Sequence, residues 1–181
     1  MIEKLFLLLG IVLILGGCTT DLTDPPRYEG RSLEIGVIGD ASSISAGNVS
    51  FTNVTFDELE DAGLSAKFDA VIIMKEHLAK AANPEYSAVY KSAGIPFFFM
   101  ESEKSYVPFT EEELSYEEVP DLSSDLYATG VIQTGNEFKY WDFGLQNDKK
   151  TEAHIADVYA RIFTTVESLQ SGNSSSPEGD I

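Results

Sequence analysis

Thiols, imidazoles and positive charges are all scarce in this sequence. It contains 1 cysteine and 2 histidines, and 12 Lys and Arg residues stand against 30 Asp and Glu residues, so the net charge is −18. A single cysteine excludes an internal disulfide. The acidic excess argues against binding of nucleic acid, which requires surfaces rich in Lys and Arg, and against electrostatic docking on anionic lipid.

Signatures of nucleophilic catalysis and of nucleotide binding are also missing. The sequence has no Gly-x-Ser-x-Gly elbow, no Gly-x-Gly-x-x-Gly loop and no Gly-Lys-Ser/Thr ending. Residues 39–43 resemble the phosphate loop of flavodoxin-like proteins. Residues 68–74 are similar to a strand of class I glutamine-amidotransferase-like domains, but Met74 and Lys75 stand where the nucleophile would follow. These similarities imply a topology and no activity.

The one extended apolar run lies between Leu5 and Leu15, after the short head Met1–Lys4. As a helix it would be about 16 Å long, which is too short to cross a hydrocarbon core of about 30 Å. A short head followed by such a run is typical of a secretory signal. The sequence Leu15-Gly16-Gly17-Cys18 further resembles the lipobox of bacterial lipoprotein precursors.

This resemblance implies a lipid anchor. In that family the cysteine thiol receives a diacylglyceryl group and the signal, here residues 1–17, is removed, so Cys18 becomes the first residue. The acylated, palmitate-bearing protein would face outward on the cell membrane, or lie on the outer membrane where the cell has one. Two or more acyl chains hold a protein stably. The alternative is an ordinary secretory signal with an incidental cysteine.

The remaining chain divides into three parts. Residues 18–31 are polar with a Pro-Pro pair and predict a tether on the order of 20 Å long. Residues 32–170 have the size and apolar content of a single domain. Residues 171–181 are small and polar, which predicts a disordered tail.

Strand and helix patterns alternate within the domain. We expect strands near 33–38, 51–55, 68–74, 95–100, 127–133 and 137–143. Helical patterns run from 75 to 82, from 83 to 94 and from 151 to 172, and Thr55 and Glu58 have the spacing of a capping box. We predict an α/β fold of three layers, with a mainly parallel, flavodoxin-like sheet, a late antiparallel hairpin and a C-terminal helix.

Ligands of open α/β sheets bind beyond the carboxyl ends of the strands. The polar residues at the predicted ends are candidate ligand-binding residues: Asp40, Ser42, Ser43, Lys75, Glu76, His77 and Glu101. The alternative interpretation is that these positions are polar only because they meet water.

No cofactor is identified, but two patterns suggest a divalent cation. Asp40, Glu76, His77 and Glu101 are a conceivable metal set without a ligand spacing such as His-x-x-x-His. The acidic segment 103–125 offers carboxylates of the kind that Ca²⁺ prefers, although residues 121–125 do not continue as an EF-hand. We expect the other histidine, His154, to be exposed in the first turn of the last helix.

The function that these patterns predict is that of a lipid-anchored extracytoplasmic lipoprotein whose domain binds a ligand or partner without turning it over. A basic envelope polymer or a protein would suit its charge. One alternative is a metal-dependent hydrolase at the strand ends, and another is a structural subunit of an envelope complex.

Overall fold

The computed structural model describes residues 26–41, 44, 46–61, 63–122 and 126–173, and for 171–173 it describes the backbone alone. The predicted signal peptide, Cys18, residues 18–25, Ser42 and Ser43 therefore lie outside the described residues. Within the described part of the chain, no helix is both long and apolar enough to cross a membrane.

A six-stranded mixed sheet with the order β2-β1-β3-β4-β5-β6 forms the centre of the fold. The strands are β1 (Leu33–Ile38), β2 (Val49–Asn53), β3 (Ala70–Ile73), β4 (Phe97–Met100), β5 (Leu126–Thr134) and β6 (Glu137–Gly144). The first four are mutually parallel, whereas β5 and β6 pair antiparallel to their neighbours. The predicted α/β class is confirmed.

The central strands follow directly from their sequences. Every residue of β3 and β4 is buried, as expected for continuous apolar strands that are covered on both faces. The predicted hairpin joins β5 to β6, but Thr134 pairs with Glu137, so its turn has two residues and not three. Gly135 opens that turn with a φ of 59°, which glycine adopts without strain.

Most of the helices are short. They are α1 (Leu64–Lys67), α2 (Leu78–Ala81), α3 (Pro84–Ser92), α4 (Val107–Thr110) and α5 (Glu152–Asn173), with 3₁₀ turns at Asp57–Glu60, Lys75–His77, Tyr116–Glu118 and Gln146–Asp148. The helix break before Pro84 is confirmed. The α5 helix begins as predicted, with the backbone N–H of His154 donating to the Thr151 hydroxyl at 3.2 Å, but it continues past Gly172.

Two hydrophobic clusters cover the two faces of the sheet. On one face, Ile35, Ile72 and Phe98 belong to a buried cluster with Val158 and Ile162 of α5. On the other face, the alternate strand residues pack in a second cluster with α2, α3 and α4; its members include Val71, Ile73, Phe99, Leu78, Tyr90 and Phe109. The molecule therefore has the three layers that the alternating sequence pattern predicts.

The connection between the first two strands departs from the usual crossover helix. β1 and β2 are parallel neighbours, yet the described residues between Gly39 and Asn48 contain no helix. The weak helix signal of this stretch predicts such an irregular connection.

A buried lysine joins the two ends of the described part of the acidic segment, residues 103–122. Lys104 is buried, and its ammonium group donates to the Val119 carbonyl at 2.5 Å and to the Asp121 carboxylate at 2.7 Å. The spacing of Thr110 and Glu113 predicts the cap of a helical turn, but Thr110 is the last residue of α4. A capping box lies further on, where Glu118 accepts hydrogen bonds from the backbone N–H and the hydroxyl of Ser115.

The last residues of the predicted tether pack on the domain. Tyr28 is buried against Phe163, with ring centroids 5.8 Å apart. Arg31 forms a two-pronged hydrogen bond with Asp69, at 2.9 and 3.3 Å. Because Asp69 immediately precedes β3, these contacts hold the incoming chain at the amino ends of the parallel strands.

Candidate functional site

The carboxyl ends of β1, β3 and β4 are level with one another. Ile38 pairs with Ile73, and Ile73 pairs with Phe99, so the residues that follow each strand emerge along one edge of the sheet. Because β5 runs the opposite way, its amino end also reaches this edge, and so does the start of α5, which follows the end of β6.

Glu101, which follows β4 directly, has a φ of 53°. That left-handed conformation is rare for a residue with a long side chain and costs of order 1–2 kcal/mol. The other non-glycine residues with positive φ in the described chain are Asn147 and Asp148. Both lie in the turn that leads to Lys150, so all three left-handed residues belong to the two segments that meet at this edge.

Two side chains hold the Glu101 carboxylate. Lys150 donates to its Oε2 at 2.5 Å, and the Tyr127 hydroxyl makes a longer hydrogen bond to its Oε1 at 3.4 Å. The Lys150 ammonium also lies 6.0 Å from the centre of the Tyr127 ring. The Glu101 side chain is 26 % exposed and that of Lys150 is 56 % exposed, so this ion pair remains open to solvent on one side.

The buried phenols of Tyr127 and Tyr159 lie on the inner side of the Glu101–Lys150 ion pair. Burial raises the pKa of the Tyr127 hydroxyl, and the neighbouring Glu101 carboxylate raises it further. Burial likewise raises the pKa of Tyr159, whose hydroxyl lies 4.0 Å from the Met74 sulfur. Both phenols therefore stay protonated and act as hydrogen-bond donors. We call Glu101, Lys150, Tyr127, Tyr159 and Met74 the strand-end cluster.

Gly39 sets the spacing between β1 and β3 at the same edge. Its φ is 118°, and a Cβ there would lie 2.6 Å from the Met74 Cβ and 2.7 Å from the Glu76 Oε1. Only glycine permits this approach. It brings Glu76 beside the first strand, where Asp40 follows as an exposed residue.

The other predicted site residues form separate pairs. Lys75 and Glu103 are 3.5 Å apart and both are exposed, while the His77 ring nitrogen is 4.0 Å from Glu76. His77 also packs edge-on against Phe56. The structure therefore places the described members of the predicted set at one edge of the sheet, and of these only Glu101 belongs to the strand-end cluster.

The metal-binding alternative gains no support from this arrangement. Among the residues that the structure describes, no group of three or more His, Cys, Asp or Glu side chains could hold a metal ion. Glu101, which that alternative requires, is already held by Lys150.

The prediction for His154 was wrong, because this side chain is only 2 % exposed. Its Nδ1 lies 2.7 Å from the carbonyl oxygen of Lys149. The ring thus connects the first turn of α5 to the residue that precedes Lys150, and it does not face water.

The sequence analysis missed Lys150, Tyr127 and Tyr159. A usable signal was present in the predicted hairpin, because an antiparallel strand returns to the edge at which the preceding parallel strand ends. Tyr127 at the start of β5 could have been placed there. For Lys150 and Tyr159 the packing of α5 across the sheet was needed as well.

Comparisons of this chain with family models, with curated proteins and with solved structures give no match.

Proposed function

We propose that this protein is a lipid-anchored lipoprotein outside the cytoplasm, and that its domain binds a ligand or partner at the strand-end cluster without catalysis. The observation that carries the binding role is the left-handed Glu101, whose carboxylate is held by Lys150 and Tyr127. Backbone strain persists where the surrounding structure enforces it, and such positions concentrate in binding and active sites.

The lipobox sequence supports the anchor. Leu15-Gly16-Gly17-Cys18 follows a signal-like apolar run, and the net charge of −18 leaves the lipid as the main attraction to an anionic membrane. Cys18 is the lipidation site in this proposal, and its acylation also accounts for an exported chain with a single cysteine.

The path of the chain favours a ligand approaching from the side away from the membrane. Arg31 fastens the incoming segment to Asp69 at the amino end of β3, and the strand-end cluster lies at the opposite end. The six residues of β1 separate the two ends by about 20 Å. A lipid at Cys18 would therefore leave the cluster pointing outward.

We also propose that the sheet is a variant of the flavodoxin-like arrangement. Its order β2-β1-β3-β4-β5 matches the flavodoxin order, which places ligands at the carboxyl ends of the strands. The reversed β5 and the added β6 distinguish this chain from an all-parallel sheet.

Metabolic labelling with an alkyne analogue of palmitate tests the anchor. The wild-type protein is expected to incorporate the label and to fractionate with membranes, whereas Cys18→Ser is expected to lose the label and remain soluble or unprocessed. A Cys18→Ser protein that stays firmly bound to membranes contradicts the proposal.

Photo-crosslinking from two matched lysine positions tests the binding role. Lys75 lies at the carboxyl end of β3 and Lys67 lies before its amino end, and their side chains are 56 % and 58 % exposed. A photoreactive residue at position 75 is expected to capture an envelope component in cells, and one at position 67 is not. Equal capture at both positions would contradict a site at the strand ends.

A titration with Ca²⁺, Mn²⁺ and Zn²⁺ separates this function from a metal-dependent hydrolase. We expect no change in Tm, and a rise with one of these ions would favour the hydrolase.

A further inference from the structure

The two edges of the sheet differ in how they are protected. β2 has five residues, and its last two are exposed polar side chains. β6 has eight residues, and among the strands that the structure describes it pairs with β5 alone. Proteins usually blunt an exposed edge with short strands, bulges, proline or lysine. In β6 only Lys139 fits that list, and it is paired with Glu137 at 3.1 Å.

The hairpin register shows which backbone groups of β6 face outward. Thr134 and Glu137 flank the two-residue turn and therefore form a hydrogen-bonded pair, after which hydrogen-bonded and non-hydrogen-bonded pairs alternate. Phe138, Tyr140 and Asp142 fall at the non-hydrogen-bonded positions. Their N–H and C=O groups point away from β5 and are available to another strand.

The side chains of these three residues share one face of the sheet. Phe138 and Tyr140 are 39 % and 54 % exposed, which is unusual for rings of this size. Tyr106 supports both of them, with ring centroids 5.3 Å from Phe138 and 4.5 Å from Tyr140. Asp142 follows on the same face and is exposed. We call Phe138, Tyr140 and Asp142 the β6 stripe.

From these observations we infer that β6 is a docking edge for an extended basic peptide segment, which adds to the sheet as a seventh strand. Backbone hydrogen bonds provide the pairing. Lys or Arg side chains at alternate positions of the segment stack on the Tyr140 ring as cation–π contacts and approach the Asp142 carboxylate. This surface is separate from the strand-end cluster and does not depend on it.

Charge decides between a basic peptide and a second copy of the chain. Tyr106 lies within the acidic segment, where Glu103 precedes it and Glu111, Glu112 and Glu113 follow it, all exposed. A second copy would bring another net charge of −18 to this edge, whereas a basic strand is attracted to it. The attraction should weaken as salt is added.

Binding of synthetic peptides to the full chain in a nonionic detergent tests the inference. The probe is a labelled peptide of alternating Lys and Val, and the controls are the same peptide with a central proline and the peptide with Glu in place of Lys. Fluorescence anisotropy is expected to show that the Lys-Val peptide binds. The peptide with a central proline should bind at least tenfold more weakly, and the Glu peptide should not bind. Equal binding of the two basic peptides would overturn strand addition, since charge alone would then account for it.

Variants locate the contact. Tyr140→Ala is expected to weaken the affinity about fivefold, as for the loss of one cation–π contact, and Asp142→Asn about threefold. Thr52→Ala, on the opposite edge strand, should leave the affinity unchanged. An equal loss with Thr52→Ala would overturn the assignment to β6.

Hydrogen–deuterium exchange provides a second, independent measurement. Amide exchange in residues 137–144 is expected to slow when the Lys-Val peptide binds, while exchange in 49–53 stays the same. Unchanged exchange in 137–144 at saturating peptide would exclude strand pairing. If 137–144 becomes protected with protein concentration and without peptide, the occupant is a second copy and the inference is wrong.

Discussion

Asp69 and Glu101 are carboxylates at opposite ends of the same sheet, and each is paired with a basic side chain. Asp69 accepts hydrogen bonds from Arg31, from the backbone N–H of Glu34 and from Gln170, at 2.6 to 3.3 Å. Among the described residues, Glu101 accepts hydrogen bonds only from Lys150 and, at 3.4 Å, from the Tyr127 hydroxyl, and its backbone is left-handed where that of Asp69 is not.

Under the proposed function, the difference separates a structural ion pair at Asp69 from a binding residue at Glu101. The partners of Asp69 come from three parts of the chain and join the incoming segment, β1 and α5 at one point, so their arrangement serves the fold. Glu101 accepts fewer hydrogen bonds than Asp69, and its left-handed backbone is strained. We therefore attribute this strain to the position that the carboxylate must occupy for binding, and not to stability.

The largest effect is expected for Asp69→Ala. This change removes an acceptor of several charge-assisted hydrogen bonds, and we expect the free energy of unfolding to fall by about 2 kcal/mol. The matched control is Asp61→Ala, which breaks an ion pair with Lys67 whose two side chains are 55 % and 58 % exposed. Urea unfolding should show a loss below about 1 kcal/mol for this control. Similar losses of unfolding free energy in Asp69→Ala and Asp61→Ala would show that the pair at Asp69 stabilises the fold no more than an exposed ion pair does.

The pH dependence of the free energy of unfolding should reveal the ion pair of Asp69 with Arg31. Burial opposes ionisation of Asp69, but the hydrogen bonds from Arg31, Glu34 and Gln170 outweigh it and hold its pKa below the usual value. The native state therefore binds fewer protons than the unfolded state. This contribution is complete above the unfolded pKa of about 4 and is lost as the pH falls through the lower native value.

We expect Asp69→Asn to flatten the fall in stability between pH 5 and pH 2, measured by urea unfolding at each pH. Glu58 and Glu118 have lowered pKa values too, through hydrogen bonds from Thr55 and Ser115, and they shift stability in the same direction. Glu58→Gln is therefore measured beside it, as the same kind of change at an exposed carboxylate. An unaltered acid profile for Asp69→Asn would show that Asp69 makes no such contribution.

Two substitutions of Glu101 separate strain from the ion pair. Glu101→Ala loses the pair and keeps a side chain in the left-handed region, whereas Glu101→Gly loses the pair and relieves the strain. We expect the glycine variant to be more stable than the alanine variant by about 1 kcal/mol, in thermal or urea unfolding. If alanine is equal or better at this position, the backbone there is not strained.

The smallest change in stability is expected for Lys150→Gln. Its side chain is 56 % exposed, so the loss should be no more than about 1 kcal/mol. Under the proposed function, the same variant should nevertheless reduce crosslinking from position 75. A stable variant with full crosslinking would place the binding surface away from Lys150.

Much of the fold could be read from local patterns. The continuous apolar residues of β3 and β4, the break before Pro84 and the helical pattern from 151 to 172 all predict the elements found. The site was harder to predict. Glu101 was identified because it follows a strand, but Lys150 and Tyr127 become its partners through the reversal of β5 and the packing of α5. His154 was misplaced because its position in the sequence does not reveal what covers the first turn of a helix.

The acidic character, the apolar pattern of the elements and the signal-like segment that ends at Cys18 can all be read from the amino-acid sequence, because composition and periodicity are local properties. The strain at Glu101, the burial of His154 and the open edge of β6 arise from the way the folded chain packs. These depend on which segments meet after the chain has folded, and contacts between residues far apart in sequence are not encoded in any single stretch of it.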